Sequence, residues 1–214
     1  MKTDLITYYR DRAQEYEKIY EKPERKEDLE KVTQILKDVF SGKEVFEIAC
    51  GTGYWTARIA QTARSIKATD INEAVLKIAR SKSYSPARVS FSMEDINHMK
   101  SGRLYECLFG GFIWSHIKKQ ELAEFIEIVK KQVTPGGTLA FIDNNFVKGS
   151  STLISRTDEF GNTFQRRMVE NGTVFEVLKN FPNRRFIRKL LKQKAGDIQF
   201  IHLKFFWVLI FNNL

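Results

Sequence analysis

The sequence predicts an α/β domain whose mostly parallel sheet is covered by helices on both faces. Between Val45 and Asp143, short apolar segments alternate with segments of helical periodicity, as expected for strands joined by crossover helices. One apolar segment breaks into the closely spaced glycines Gly51 and Gly53 just before a helical pattern, which indicates a strand-to-helix turn. The length of 214 residues and the hydrophobic content of 43% suit one folded domain and exclude a disordered chain.

The first forty residues predict a helical lid on that domain. Residues 5–20 form one amphipathic helix or two short ones, with their tyrosines on the inner side. Pro23 interrupts the pattern, and residues 25–40 then form a longer helix with apolar side chains at helical spacing. We therefore expect residues 1–40 to act as a lid beside a core of residues 41–146.

The core is predicted as an alternation of strands and helices. After a first strand beginning at Val45, the elements are a strand over 65–70, a helix over 73–81, a strand over 89–93, a strand over 104–114, a helix over 120–132 and a strand over 138–143. Asn72 is suited to cap the first of these helices. The crossovers between parallel strands are expected to be right-handed.

Residues 147–214 predict a hairpin insertion followed by the edge of the sheet. Two segments of alternating polarity, 163–169 and 173–178, flank the turn signal Glu-Asn-Gly at 170–172. A basic helix follows, and residues 197–211 then predict one long strand or two short ones. The chain contains no internal repeat, so we expect a single domain over residues 1–214.

The formal net charge of +9 raises the question of a nucleic-acid partner. The basic residues are densest between Arg184 and Lys194, where they alternate with an apolar stripe. This pattern favours the solvated face of an amphipathic helix. A nucleic-acid partner is therefore not expected, although the pI of 9.5 leaves that alternative open.

The cysteines and the absence of long apolar runs predict the compartment. Cys50 and Cys107 fall in predicted strand or turn segments, where free buried thiols are typical of a reducing environment. The most apolar run, residues 205–211, is too short for a membrane span, and residues 1–4 lack the apolar core of a signal peptide. We expect a cytoplasmic protein, monomeric or homodimeric, without a membrane or zinc site.

Residues 47–53, Glu-Ile-Ala-Cys-Gly-Thr-Gly, resemble the glycine motif of class I methyltransferases, which bind S-adenosylmethionine. That motif is an acid followed by three glycines at alternate positions, and here Ala49 replaces the first glycine. A dinucleotide fingerprint would instead place a third glycine at Thr56. The resemblance spans residues 45–143. It implies a Rossmann-like three-layer sandwich, a seven-stranded sheet with an antiparallel C-terminal strand, and S-adenosyl-L-methionine as cofactor, with S-adenosyl-L-homocysteine as product.

The resemblance also assigns cofactor-binding roles to residues at the strand ends. Asp70 would accept hydrogen bonds from the ribose hydroxyls, and Asp95 would bind the adenine amine. Ile71 and Ile96 would lie on either side of the adenine ring. All four residues lie at or just after the ends of predicted strands, and open sheets bind ligands beyond the carboxyl ends of their strands. The residues expected at the cofactor are Glu47, Ala49, Gly51, Gly53, Trp55, Asp70, Ile71, Asp95, Ile96 and, from the lid, Tyr9 and Tyr16. Core packing remains the alternative for the two tyrosines.

His116 is the candidate catalytic residue. It follows the fourth predicted strand, and an imidazole with its usual pKa suits a general base that removes a proton from the acceptor. A structural or helix-capping histidine is the alternative. Asp143–Asn144 is similar to the magnesium-binding pair of catechol-type enzymes, but no second acid follows strand four, so we expect no metal. Candidate acceptor-binding residues are Trp114, Asn144, Asn145 and Arg156.

The expected function is methyl transfer from S-adenosylmethionine to an oxygen or nitrogen atom of a small molecule. The segment after strand four, residues 111–116, lacks the Asn/Asp-Pro-Pro-aromatic and Pro-Cys motifs of base-modifying relatives. It also lacks the paired glutamates of protein arginine methyltransferases. An RNA or protein substrate, or a non-catalytic cofactor-binding module, remains an alternative.

Overall fold

The computed structural model describes residues 5–99 and 102–214. The first four residues of the predicted lid therefore lie outside the described part of the chain. The α-helices are α1 Leu5–Asp11, α2 Lys26–Phe40, α3 Tyr54–Ile59, α4 Glu73–Arg80, α5 Leu122–Lys130 and α6 Arg184–Leu191. The strands are β1 Glu44–Ile48, β2 Ser65–Asp70, β3 Arg88–Met93, β4 Tyr105–Gly111, β5 Val133–Asn144, β6 Ile154–Thr157, β7 Thr163–Met168, β8 Val174–Leu178, β9 Ala195–His202 and β10 Phe206–Asn213.

Seven strands form one sheet in the order β3-β2-β1-β4-β5-β10-β9. Strands β1 to β5 are parallel, whereas β10 runs antiparallel to both β5 and β9. The predicted seven-stranded sheet with its antiparallel C-terminal strand is confirmed. The strand order reverses between β1 and β4, and such switch points are where open α/β sheets bind ligands.

The core lies in two layers, one on each face of the sheet. Alternate residues of β4 point to opposite faces: Cys107 and Phe109 join one hydrophobic cluster, and Leu108 joins the other. Helices α2, α3 and α4 cover the first face, and α5 and α6 cover the second. This arrangement is the predicted three-layer sandwich. None of the described helices has the length and apolar content needed to cross a membrane.

Helix α1 lies against a second, three-stranded sheet of order β6-β7-β8, whereas α2, predicted as part of the lid, packs on the first face of the large sheet. The predicted hairpin forms β7 and β8, and β6 adds an exposed edge strand that the sequence did not predict. Tyr8 of α1 is 1% exposed and packs with Val169, Phe175 and Val177 of the hairpin. The N-terminal segment is thereby joined to the insertion.

Two predicted strand boundaries were wrong, and the first of them lies where the site forms. Strand β4 ends at Gly111, not at Trp114, because Phe112 has a φ of +59°, which interrupts an extended strand. Trp114 lies in a short 3₁₀ turn, Trp114–His116. Strand β5 begins at Val133, earlier than predicted, since the pairing with β4 shifts register around the Pro-Gly-Gly segment and then continues.

Candidate functional site

A cavity of about 520 Å³, the larger cavity, opens at the carboxyl ends of β1 to β4. Its wall includes Ala49 after β1, Asp70 at the end of β2, Asp95 after β3 and Gly111 at the end of β4. These residues meet because parallel strands end at the same edge of a sheet. The cavity lies at the switch point and has the size of an ordinary small-molecule site, roughly 300–1,000 Å³.

The larger cavity brings together most residues that were predicted to bind the cofactor. Those that line it are Tyr9, Tyr16, Ala49, Gly51, Asp70, Ile71, Asp95 and Ile96, together with His116. Glu47, Gly53 and Trp55 lie behind the wall, with relative exposures of 1% for Glu47 and 4% for Trp55. Their proposed contact with a cofactor stays a prediction.

The turn between β1 and α3 has three residues in left-handed backbone conformations. Gly51 has a φ of +55°, and a Cβ atom there would meet nothing within 4 Å, so its backbone borders open space in the cavity wall. Gly53 has a φ of +78°, and a Cβ atom there would lie 3.2 Å from the Cβ of Ala79 in α4. Ala49 also has a positive φ, +50°, a backbone conformation that glycine adopts more readily than alanine.

Asp70 is fixed on the cavity wall by backbone donors. Its Oδ2 accepts the N–H of Gly51 at 2.9 Å and its Oδ1 accepts the N–H of Asn72 at 2.9 Å. Burial raises the pKa of Asp70, and these backbone bonds oppose that shift. A carboxylate has roughly four acceptor positions, so capacity remains for hydroxyl donors from a ligand. Asn72 in turn caps α4 by accepting the N–H of Ala74 at 3.1 Å.

Asp95 follows β3 and forms the adjacent part of the wall of the larger cavity. Its Oδ1 accepts the N–H of Asn97 at 2.9 Å, and its Oδ2 lies 2.8 Å from Nδ1 of His98. Burial acts to raise the pKa of Asp95, but the hydrogen bonds to Asn97 and His98 outweigh burial, and the pKa is lowered. Ile71 and Ile96 supply apolar surface beside the two carboxylates, which suits a planar ring with polar edges.

Glu47 is a buried acid directly beneath the turn. It is 1% exposed, and its Oε2 has no hydrogen-bond partner among the described residues. Burial, together with the negative charge of Asp70, raises the pKa of Glu47 from 4.5 to about 8. The folded protein therefore holds a proton on Glu47 at neutral pH, whereas the unfolded chain does not.

We expect the Glu47→Gln variant to lose a pH dependence of stability that the wild-type protein has. Between pH 4.5 and about 8 the folded state binds the Glu47 proton and the unfolded state has lost it. The free energy of unfolding should therefore fall as pH rises through this window, by up to about 1.4 kcal/mol per pH unit. Urea denaturation at several pH values measures the slope. Glu30→Gln, at an exposed position of α2, is the control; equal slopes in all three proteins would contradict the assignment.

His116 and Tyr9 form a hydrogen-bonded pair at the other end of the larger cavity. Nδ1 of His116 lies 2.7 Å from the carbonyl oxygen of Leu178, which can only accept, so Nδ1 carries the proton. Nε2 is then free to accept the hydroxyl of Tyr9 at 2.7 Å. Burial lowers the pKa of His116 well below 6.5, and the positive charges of Lys179 and Arg167 lower it further. The imidazole is thus neutral, as a general base must be.

A second cavity of about 420 Å³, the smaller cavity, adjoins the first. The two share Tyr9, Tyr16 and Phe112 as a common wall. The other residues around the smaller cavity come from the N-terminal segment, the loop after β5 and the insertion sheet. The basic ones are Arg12, Lys22, Arg25, Arg166, Arg167 and Lys179. The sequence gives no sign of this cluster, because its members are scattered along the chain and the densest charge lies on α6.

Of the four candidate acceptor-binding residues, only Asn144 lines the smaller cavity. Trp114 is fully buried in the core, where its ring packs at 5.1 Å from that of Phe141. Nδ2 of Asn145 donates to the carbonyl oxygens of Leu203 and Phe206, which ties β5 to the β9–β10 turn. Arg156 pairs with Glu176 at 2.6 Å on the insertion sheet. These three side chains therefore have structural partners outside both cavities.

Asp143, at the end of β5, holds a buried lysine. Its Oδ1 lies 2.7 Å from Nζ of Lys179, and its Oδ2 accepts the N–H of Ser115 at 2.9 Å. Oδ1 also accepts the N–H of Asn144 at 2.8 Å, so both oxygens are occupied by protein donors. No group of three or more His, Cys, Asp or Glu side chains that could hold a metal ion occurs among residues 5–99 and 102–214.

Comparison with known proteins adds independent findings. A family model described as a methyltransferase domain matches residues 45–137. The chain is 24% identical over 130 residues to phosphoethanolamine N-methyltransferase 1 of Zea mays, an alignment that covers 59% of this chain and 26% of the maize protein. It is 24% identical over 124 residues to phosphoethanolamine N-methyltransferase of Triticum aestivum, covering 56% and 24% respectively. The chain thus spans about a quarter of the length of the curated relatives it matches.

Solved structures resemble nearly the whole chain. A DhpI–SAH complex superposes with a TM-score of 0.80 and 22% identity, covering 97% of this chain and 94% of that chain. A DhpI–SAM–HEP complex gives a TM-score of 0.78 at 22% identity, covering 95% and 94%. At such identity the likeness shows the fold alone.

The larger cavity fits S-adenosylmethionine. Gly51 leaves its wall open, and Asp70 keeps acceptor capacity for hydroxyl groups such as those of a ribose. The sheet order, the location of the cavity at the switch point and the position of the matched segment are all consistent with a cofactor site in the larger cavity. Over residues 45–137 the chain is therefore similar to the methyltransferase domains that this family model describes.

Proposed function

We propose that this protein transfers a methyl group from S-adenosylmethionine to an oxygen or nitrogen atom of a small-molecule acceptor. The observation that carries the proposal is the pair of adjoining cavities. Ligands in the larger and the smaller cavity would meet at the shared wall of Tyr9, Tyr16 and Phe112. Methyl transfer requires such alignment of two bound molecules, and alignment supplies much of the rate enhancement.

In this proposal the larger cavity holds the cofactor. When bound, S-adenosylmethionine supplies an electrophilic methyl group on a sulfonium sulfur. Asp70 and Asp95 hold the nucleoside end by accepting hydrogen bonds, and Gly51 lets the ligand approach the backbone. Tyr9 and Tyr16 close the cavity from the N-terminal side, where their rings lie 5.6 Å apart.

His116 is the proposed general base, and Tyr9 is its partner. His116 lines only the larger cavity, whereas Tyr9 lines both. A proton from an acceptor in the smaller cavity would therefore reach Nε2 of His116 through the Tyr9 hydroxyl. Burial raises the pKa of Tyr9 well above 10, so this hydroxyl stays protonated between transfers.

A panel assay tests the activity. Protein incubated with methyl-labelled S-adenosylmethionine and small hydroxyl, amine and oxyanion compounds should transfer label to at least one of them. Titration calorimetry with S-adenosylmethionine and S-adenosylhomocysteine should show binding of both. Failure to bind either molecule would refute the proposal, whatever the panel shows.

We expect His116→Ala to lower kcat by about 100-fold or more, since a positioned base contributes roughly 10²–10⁴ to a rate. Because the pKa of His116 is lowered, wild-type activity should persist below pH 6.5, where an ordinary histidine would be protonated. Steady-state kinetics on the acceptor found in the panel measure both effects. His202→Ala, at an exposed position of β9, is the matched control; an unchanged kcat in His116→Ala would exclude the base role.

Two further points support the proposal. The Zea mays and Triticum aestivum relatives are named for phosphoethanolamine, which is a small molecule with one amine. Cys50 and Cys107 are both buried and unpaired, which suits the cytoplasmic location that we also propose. Fluorescence imaging of a tagged protein would test that location.

A further inference from the structure

The smaller cavity carries positive charge that the described protein does not neutralise. Six basic side chains line it, and no aspartate or glutamate does. Lys179 pairs with Asp143 at 2.7 Å, and Arg12 lies 3.7 Å from Glu15. The other four form no ion pair with any residue within 5–99 and 102–214: Lys22, Arg25, Arg166 and Arg167.

Arg167 is held in place without a carboxylate. Its Nε and one terminal nitrogen donate to Oε1 of Gln165 at 3.2 and 2.7 Å. Gln165 is 2% exposed and is itself fixed by donating to the carbonyl oxygen of Thr152 at 2.6 Å. A neutral amide thus orients a guanidinium that lines the smaller cavity.

Arg25 lines the same cavity and forms hydrogen bonds with a neutral residue only. One terminal nitrogen donates to the carbonyl oxygen and the hydroxyl of Ser150, at 3.2 and 3.0 Å. Its Nε is buried and has no hydrogen-bond partner among the described residues. The Arg25 guanidinium lines the smaller cavity and has only neutral hydrogen-bond partners among the described residues, so its charge is suited to an anionic ligand there.

We propose that the smaller cavity binds a phosphate or phosphonate group carried by the methyl acceptor, with Arg25 and Arg167 as its principal ligands. That the anion is part of the methyl acceptor rests on the proposed function, whereas the anion site itself does not. Guanidinium groups bind tetrahedral oxyanions through paired hydrogen bonds, and four unpaired cations suit a dianion better than a monoanionic carboxylate. The volume of about 420 Å³ limits the ligand to a small molecule.

Calorimetry on the full chain saturated with S-adenosylhomocysteine tests the proposal. Inorganic phosphate and methylphosphonate should bind, acetate should bind more weakly, and ethanolamine should not bind. Affinity should fall as salt rises, because the contacts are ionic. Arg167→Gln and, separately, Arg25→Gln should weaken methylphosphonate binding about tenfold or more. Arg188→Gln, an exposed arginine of α6, removes the same net charge and should leave the affinity unchanged.

Several results would overturn the inference. They are the absence of phosphate and methylphosphonate binding, equal affinity in Arg167→Gln, Arg25→Gln and wild type, or equal loss in the Arg188→Gln control. Co-sedimentation with phosphatidylethanolamine vesicles without methylphosphonate binding would also overturn it, in favour of a lipid headgroup. Cofactor binding separates the two proposals. Protein that binds S-adenosylhomocysteine but no phosphate probe refutes the anion site alone, and the reverse result refutes the proposed function alone.

Discussion

Asp70→Ala should lower the affinity for S-adenosylhomocysteine by about 100-fold or more. In the proposed complex the Asp70 carboxylate accepts two ribose hydroxyls, and hydrogen bonds to a charged group contribute roughly 1.5–3 kcal/mol each. The carboxylate is already held by the N–H groups of Gly51 and Asn72, so it meets the ligand without reorganising. Titration calorimetry on the purified variant measures the loss.

The controls separate ligand binding from folding. Asp70→Asn keeps the side-chain volume and one acceptor oxygen, so it should retain the fold and still bind the cofactor poorly. Glu94→Ala removes a neighbouring acid that lines the same cavity, but its carboxylate is engaged with Lys67 at 2.6 Å and Ser92 at 2.8 Å. This control should keep nearly wild-type affinity. An Asp70→Ala protein that melts normally and binds as tightly as wild type would refute the role of Asp70.

Asp143→Asn should lower the free energy of unfolding by about 3–5 kcal/mol at pH 7. The change leaves Lys179, which is 3% exposed, as a buried cation without a counter-charge, and this is among the costliest single changes. Burial already lowers the pKa of Lys179, and Asp143 opposes that shift. Without Asp143 the pKa should fall further, so the variant should regain stability as pH rises towards the usual lysine value of 10.5.

Urea denaturation at pH 7 and pH 9 measures both parts of this prediction. The double variant Asp143→Asn, Lys179→Met removes the charge together with its partner and should recover much of the loss. Glu27→Gln breaks the exposed pair with Lys31 and should leave stability nearly unchanged. The prediction fails if Asp143→Asn is as stable as Glu27→Gln, or if the double variant is less stable than Asp143→Asn.

The parts of the site that the sequence predicts are those encoded locally. The turn at Gly51 and Gly53 follows a strand directly, and Asp70 and Asp95 end the next two strands. Parallel pairing then brings consecutive strand ends to one edge, so chain order alone places these residues together. The same locality explains the correct prediction of the β7–β8 hairpin from its Glu-Asn-Gly turn.

The residues that sequence reasoning missed depend on contacts between distant segments. Arg25, Arg167 and Lys179 meet at one cavity only because the insertion sheet lies against the N-terminal segment. The local sequence Asp143–Asn144 is similar to a metal-binding pair, although no metal was expected, and it does not reveal that the partner of Asp143 is a lysine 36 residues later.

The positive φ of Phe112 is another feature that periodicity does not reveal. A bulky residue in the left-handed region is rare, so an apolar run from Leu104 to Trp114 was predicted as one uninterrupted strand. In the structure Phe112 donates its N–H to the carbonyl oxygen of Ile142 at 2.8 Å, which holds the turn. Its ring forms part of the wall between the cavities, so the deviation from the strand pattern occurs at the site itself.

The wall shared by the two cavities has a thermodynamic consequence. Tyr9 and Tyr16 belong to a short N-terminal segment, and a ligand that immobilises them in one cavity also completes the boundary of the other. The conformational entropy of these two tyrosines is then lost once rather than on each binding event. Binding of the first ligand should therefore make the second bind more tightly. Linkage requires this effect to be reciprocal. The affinity of the protein for its acceptor would then report whether the methyl donor is present.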